Sequence, residues 1–220
     1  MVCMELLLIL VSIVAFICSV IFHEIAHGVV ANWFGDDTAK LAGRLSLNPV
    51  VHIDPVGSIL VPAMLMISGS GILFGWAKPV PVNSFRLRGG AASYRWVSLA
   101  GIATNLVLAL LAAVVLKFTT QALDFPGNNL GVYFFVSLLQ VNIVLAVFNA
   151  FPLPGFDGFN FLTTFRPISQ LLAMTPFGNP IFMAQYGLIV SLGLLFLLMP
   201  VISRLINAVL GFIVGIFGLY

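Results

Sequence analysis

The chain has 220 residues, 61% of them apolar, and its nine basic and seven acidic residues make up only 7% of it. A soluble domain carries roughly 25% charged and 45–50% apolar residues, so this is the composition of a membrane protein. The net charge of +2 excludes a basic nucleic-acid-binding surface, and the two cysteines, Cys3 and Cys18, lack CxxC spacing and exclude a disulfide scaffold.

A helix that crosses a bilayer needs about 20 mostly apolar residues. The first such segment runs from Leu6 to Phe34. No basic leader precedes it, Glu5 stands where a lysine is expected, and it continues into HEIAHG, so it reads as a retained helix and not as a cleaved signal peptide. Next, Val56 to Phe74 is apolar but interrupted by Gly57, Pro62, Gly69 and Gly71, as in a re-entrant hairpin or a loosely built span. Trp96 to Leu116, Gly131 to Phe151 and Ile181 to Met199 are further spans, and Ser203 to Leu219, after Pro200, is a separate apolar helix that spans or lies against the bundle. The expected fold is an all-α polytopic membrane protein of about four to six transmembrane helices with a short membrane-associated β-hairpin or re-entrant region. Residues 1–220 form one integral-membrane domain in this reading.

Six of the nine basic residues (Lys40, Arg44, Lys78, Arg86, Arg88 and Arg95) fall between residues 35 and 95. If Val56 to Phe74 enters and returns, all six face the cytoplasm, as the positive-inside tendency favours. Trp33, Trp76, Tyr94 and Trp96 then form one interfacial belt, the N-terminus lies outside, and a cell-membrane location is expected.

Ionisable residues inside an apolar span are expensive and are functional candidates by default. His23 and His27 are one helical turn apart and point to one side, so they can grip a single cation, and Glu24 lies beside it, able to take a proton from water. An HExxH match by chance in a chain with three His is rare, roughly 0.0004 expected occurrences. Catalytic zinc takes three protein ligands. Asp36 and Asp37 follow Gly35, a helix C-cap, and read as a solvated turn, and Asp124 sits in a polar loop. Asp157 and His52 remain as third-ligand candidates. Asp157 is favoured because Pro152, Pro154 and Gly155 break an apolar helix just before it, and a broken helix at membrane depth lines a cavity or is buried in protein.

HEIAHG at His23 to Gly28, GIATN at Gly101 to Asn105 and NAFPLPGFDG at Asn149 to Gly158 together resemble the site-2 proteases, zinc metalloproteases that cut transmembrane segments. Phe156 replaces the usual Leu of the family's NxxPxPxLDG pattern. HIDPVGS at His52 to Ser58 and GWAKPVPVN at Gly75 to Asn83 are similar to compact members without PDZ or CBS domains. The resemblance implies one Zn²⁺ per chain held by His23, His27 and Asp157, Glu24 as the general base, and a transmembrane protein as substrate. His27 and Asp157 must then meet at one depth near the cytoplasmic face, which requires an odd number of crossings between their helices.

A peptide bond in a transmembrane helix must unwind before attack, so the substrate is expected to be held by strand addition. The alternation of Arg44 to Asn48 within Leu41 to Asn48 predicts a short strand for this purpose. Asn105, Asn149 and His52 are candidates for binding the substrate or the developing oxyanion, with interhelical packing or a local cap as their structural alternatives. Asn142 and Gln140 read as interhelical contacts. The rival reading of the chain is a non-proteolytic metal-binding membrane protein, either an inactive protease scaffold or a transporter. Against transport, the polar residues gather at one level around His23, Asn149 and Asp157.

Overall fold

The computed structural model describes residues 2–67, 75–124, 126 and 129–219. Helix α1 (Val2–Trp33) is apolar on every side, and Leu6, Leu10, Ile13 and Phe16 project outward, as they do on a helix bathed in lipid. It ends at Gly35, whose φ of +97° is the left-handed cap that only glycine adopts without strain. Helix α2 (Thr38–Leu41) follows. A short turn at Pro49–His52 leads to a wider turn at Pro55–Leu60, which Asp54 caps by accepting from the Val56 and Gly57 N–H groups at 3.0 and 2.7 Å. Helix α3 (Val61–Ile67) continues from it.

Residues 75–83 form neither helix nor strand, carry Pro79 and Pro81, which favour extended backbone, and precede α4 (Ala91–Lys117). The remaining helices are α5 (Leu130–Ala150), α6 (Asp157–Thr163), α7 (Arg166–Ala173) and α8 (Pro180–Phe217). Four stretches are long and apolar enough to cross a membrane: Met4–Trp33, Ala91–Ala122, Leu130–Ala150 and Gln185–Phe217. The protein is a multi-pass, all-helical membrane protein, with no strand among the described residues.

Small residues let the spans approach closely. Ala109, Ala112 and Ala113 of α4 pack against Leu139 and Ile143 of α5 and Ile213 of α8. Inside this apolar bundle the Asn142 amide of α5 donates to Ser19 Oγ of α1 at 2.8 Å, a polar contact that fixes the register of the two helices.

Four expectations need correction or restriction. Ile181 to Met199 and Ser203 to Leu219 are not separate helices: α8 runs through Pro200, because proline deletes one donor whereas a full break would strand several backbone groups in an apolar medium. Leu41 to Asn48 is not a strand. Its alternation comes from a buried Arg44, which donates to the Lys78 carbonyl at 2.5 Å, and from Asn48, which caps the following turn. Of Val56 to Phe74, the part up to Ile67 is helical, and residues 68–74 lie outside the described residues. Beyond them Trp76 N–H donates to the Gly57 carbonyl at 3.1 Å and Ser58 Oγ to the Trp76 carbonyl at 2.8 Å, so the chain stands again beside the start of that helix.

Asp36, finally, is not solvated. It is fully buried and accepts from the Thr38 N–H at 3.1 Å, the Thr38 hydroxyl and the Asn83 N–H at 2.6 Å. Asp37 stays half exposed beside Arg86 at 2.8 Å. Burial opposes a charge on Asp36, but the hydrogen bonds outweigh it and hold the carboxyl below its usual range. Such a group contributes stability above its unfolded pKa, about 3.9, that disappears as pH falls through the lower folded value.

Two predictions follow from the packing. The melting temperature of the wild type in detergent falls more steeply through that acid range than that of Asp36→Asn. A methyl group at Gly158 would overlap the Ala150 carbonyl and stand 2.7 Å from the Phe151 oxygen, so Gly158→Ala should destabilise the protein by about 1–3 kcal/mol, read as a lower midpoint in the same melts.

Candidate metal centre

The imidazoles of His23 and His27 sit one turn apart on α1, their rings edge to face with centroids 4.8 Å apart and their Nε2 atoms 3.2 Å apart. The third member arrives from the far side of the bundle. After α5 the chain meets Pro152 and Pro154, which cannot continue the helix, and turns at Gly155 with φ of +88°. This reversal starts α6 with Asp157, whose Oδ2 lies 3.4 Å from His23 Nε2 and 3.3 Å from His27 Nε2. All three residues are buried.

The dimensions of this triangle test what it can hold. A tetrahedral ion with ligand bonds of 2.0–2.1 Å has neighbouring ligands about 3.3 Å apart, the edge observed here. Asp157 Oδ2 is buried and lacks a hydrogen-bond partner. An orphaned carboxylate oxygen facing two imidazole nitrogens is costly unless a cation lies between them. The His23, His27 and Asp157 group could therefore bind a metal, and its N, N, O donor set suits zinc.

The surroundings prepare both imidazoles for that task. His27 Nδ1–H donates to the Val97 carbonyl at 2.7 Å, leaving the Nε2 lone pair to point inward. Behind His23, wholly buried Asn105 brings its amide to 3.2 Å from Nδ1, while its own Oδ1 has no partner. Turning the amide end for end exchanges Oδ1 and Nδ2, pairs that oxygen with Nδ1–H and frees His23 Nε2 for an ion. Gly101, one turn before Asn105 on α4, makes room: a methyl there would stand 2.6 Å from both His23 Nδ1 and His27 Nε2.

Glu24 faces a cavity of about 280 Å³ that it shares with the triad. Its Oε2 accepts the Val80 N–H at 2.8 Å, so the segment 75–83 orients the carboxylate. Asn149 also lines the cavity; one of its two Nδ2–H donors goes to the Leu145 carbonyl at 3.0 Å. Asn105 stands behind His23 and is not among the cavity-lining residues.

His52 is not brought to the triad. Its carbonyl accepts from Lys78 N–H at 2.9 Å, its Nε2–H donates to the Ser46 carbonyl at 2.8 Å, and its ring lines a separate apolar groove of about 780 Å³. The cavity also contains Tyr94, Ser98 and Asn160, which sequence reasoning passed over. Asn160 had a readable signal, since i and i+3 on α6 place it on the face of Asp157. The Val80 N–H had none, because every residue except proline carries one.

Curated zinc metalloproteases resemble this chain. "Putative zinc metalloprotease YwhC" of Bacillus subtilis is 36% identical over 184 residues, 82% of this chain and 77% of that protein. "Putative zinc metalloprotease Rip2" of Mycolicibacterium smegmatis is 34% identical over 154 residues, 68% of this chain and 55% of the relative, and its Mycobacterium tuberculosis counterpart is 35% identical over 162 residues, 72% and 58%. The chain thus spans little more than half the length of the Rip2 proteins. No family model and no solved structure matches it. A membrane-spanning helical bundle with an HExxH turn and a converging aspartate is the architecture of a membrane metalloprotease. The chain belongs to the site-2 protease family.

Gly101→Ala is expected to displace an imidazole and weaken zinc binding by about 10–100-fold while leaving the helical content unchanged, measured by competitive chelator titration and circular dichroism.

Proposed function

We propose that the protein is an intramembrane zinc metalloprotease that hydrolyses peptide bonds within or near transmembrane segments of membrane-protein substrates. The observation that carries this reading is the buried triangle of His23, His27 and Asp157 with Glu24 on the wall of the same cavity. His23, His27 and Asp157 hold the zinc ion, and Glu24 is the general base. When bound, zinc supplies a Lewis acid that polarises a peptide carbonyl and acidifies water.

The protein residues do the rest. Glu24 accepts the proton of the attacking water on its carboxylate as the hydroxyl adds to the carbonyl carbon and the C=O π pair moves to oxygen; it then delivers that proton to the leaving amine as the C=O re-forms and the C–N bond breaks. The Val80 N–H on Oε2 keeps that carboxylate aimed into the cavity. An unwound substrate lies extended beside residues 75–83, where backbone pairing replaces the hydrogen bonds its helix gave up. Asn149 binds the substrate backbone or the developing oxyanion from the cavity wall, while Asn105 serves through His23. His52 supports the rim by holding residue 78 from its own carbonyl.

The return of the chain to Gly57 at Trp76 supports re-entry of the intervening segment and hence a single full crossing, by α4, between α1 and α5. With that path, the positive-inside tendency favours a location of the basic residues of 35–95 and of the cavity near the cytoplasmic face of the cell membrane. The partners are the lipid bilayer and a transmembrane protein substrate.

Glu24→Gln keeps the zinc site and removes the base. Purified in detergent and given a panel of single-span helical substrates, the variant is expected to hold one zinc per chain and to cleave about 10²–10⁴-fold more slowly than wild type. Undiminished cleavage would remove Glu24 from the mechanism, and wild type that binds zinc but cuts nothing in the panel would favour a metal-binding scaffold.

A further inference from the structure

The segment 75–83 carries no catalytic side chain, yet it supplies the backbone donor to Glu24. An isolated irregular segment has no reason to keep its register, so something must hold it to within a fraction of an ångström. The structure anchors it at four residues, the first being Trp76, whose N–H donates to the Gly57 carbonyl at 3.1 Å and whose carbonyl accepts from Ser58 Oγ at 2.8 Å. Near its start, the Lys78 carbonyl accepts from buried Arg44 at 2.5 Å and the Lys78 N–H donates to the His52 carbonyl at 2.9 Å. In its middle, the Val80 N–H meets Glu24 Oε2 at 2.8 Å. At its end, the Asn83 N–H donates to Asp36 Oδ2 at 2.6 Å.

Two of these acceptors, Glu24 and Asp36, belong to the same element and its cap. Glu24 is on the last turns of α1, and Asp36 follows directly after the Gly35 turn that ends it. The Asp36 N–H bonds back to the Ala31 carbonyl at 3.0 Å, and Thr38 fixes its other carboxylate oxygen, so the side chain is rigidly referred to the helix axis. The two carboxylates accept N–H groups three residues apart on one strap, as a two-point ruler does. The stretch between them is stiff: Pro79 and Pro81 flank Val80, fix their own φ angles and bias the preceding residues toward extended backbone. Proline also removes the neighbouring donors, leaving Val80 as the one N–H at positions 79–81 that can bond Glu24. Displacement of Asn83 is therefore transmitted to Val80 with little slack.

We propose that Asp36 is a positioning residue for catalysis, its buried carboxylate setting the register of residues 79–83 so that the Val80 N–H orients Glu24. This deepens the assignment of Glu24 as general base and rests on it. Asp36 acts on the C-terminal side of Val80, while Arg44 and His52 at residue 78 and Gly57 and Ser58 at residue 76 hold the segment on the other side.

The test uses the full-length, zinc-loaded protein and three variants. Asp36→Asn presents an amide NH₂ to one of the donors that Asp36 accepts, Val80→Pro deletes the donor to Glu24 while favouring extended backbone, and the third combines both. Each single variant is expected to lower kcat about 10- to 100-fold with KM within twofold and zinc content unchanged, the size of effect seen when a supporting hydrogen bond to an active-site group is lost. The double variant should be no slower than Val80→Pro alone, because the two act on one contact. Independently of turnover, the Val80 amide in selectively ¹⁵N-labelled protein is expected to resonate downfield in the wild type, as a carboxylate-bonded N–H does, and to move upfield in both Asp36→Asn and Glu24→Gln.

Additive losses in the double variant, a fall in kcat caused by lost zinc, or a Val80 resonance unmoved by Asp36→Asn would each overturn the proposal. If the wild type cleaves no substrate, the amide measurement still decides whether Asp36 sets the Val80 to Glu24 contact. The base assignment alone would then fail.

Discussion

Three acceptor atoms held 3.2–3.4 Å apart in the interior of an apolar bundle are the constraint on which this structure depends. Two imidazole nitrogens with inward lone pairs and an unpartnered carboxylate oxygen repel one another where all three residues are buried. A divalent cation converts that repulsion into ligation. The rest of the molecule serves to make the arrangement hold: Gly101 opens the space, Val97 and Asn105 fix the ring orientations, and the proline-broken turn after α5 brings Asp157 across. Helix packing is subordinate to this point. The small residues of α4 and the Asn142 to Ser19 contact hold α1 and α5 in the register at which the histidines and the aspartate coincide.

The second layer of organisation is the segment 75–83. It bonds to α1 through Glu24 and Asp36 and to the loop preceding α3 through His52 and Gly57. In an apolar protein a stretch of irregular backbone must have its polar groups satisfied locally, and here that requirement and the orientation of Glu24 are met by the same hydrogen bonds. The backbone that forms one wall of the cavity is thereby also part of the support for Glu24, the proposed base.

Much of the site was legible because its chemistry is local or sharply out of place. His23, Glu24 and His27 stand out as ionisable residues inside an apolar run, and Asp157 as a carboxylate following a helix break. The first three long spans were readable from length and hydropathy alone, and the fourth only in its first half. What escaped was long-range. Asp36 reads as a solvated turn residue because nothing nearby reveals that Asn83, 47 positions away, will close over it. Arg44 mimics the alternation of a strand because its burial depends on the Lys78 carbonyl. His52 and Asp157 compete on composition, and only the turn at Gly155 decides between them. Pro200 signals a break by its own chemistry, yet the apolar surroundings favour an unbroken α8.

The central claim concerns the coordination of one ion by two imidazoles and one carboxylate, and zinc K-edge X-ray absorption on the purified, zinc-loaded protein addresses it directly. The account expects a four-coordinate first shell of nitrogen and oxygen at about 2.0–2.1 Å with the outer-shell scattering of two imidazole rings. A six-coordinate all-oxygen shell, a sulfur ligand, or absorption from zinc with no imidazole scattering would contradict it.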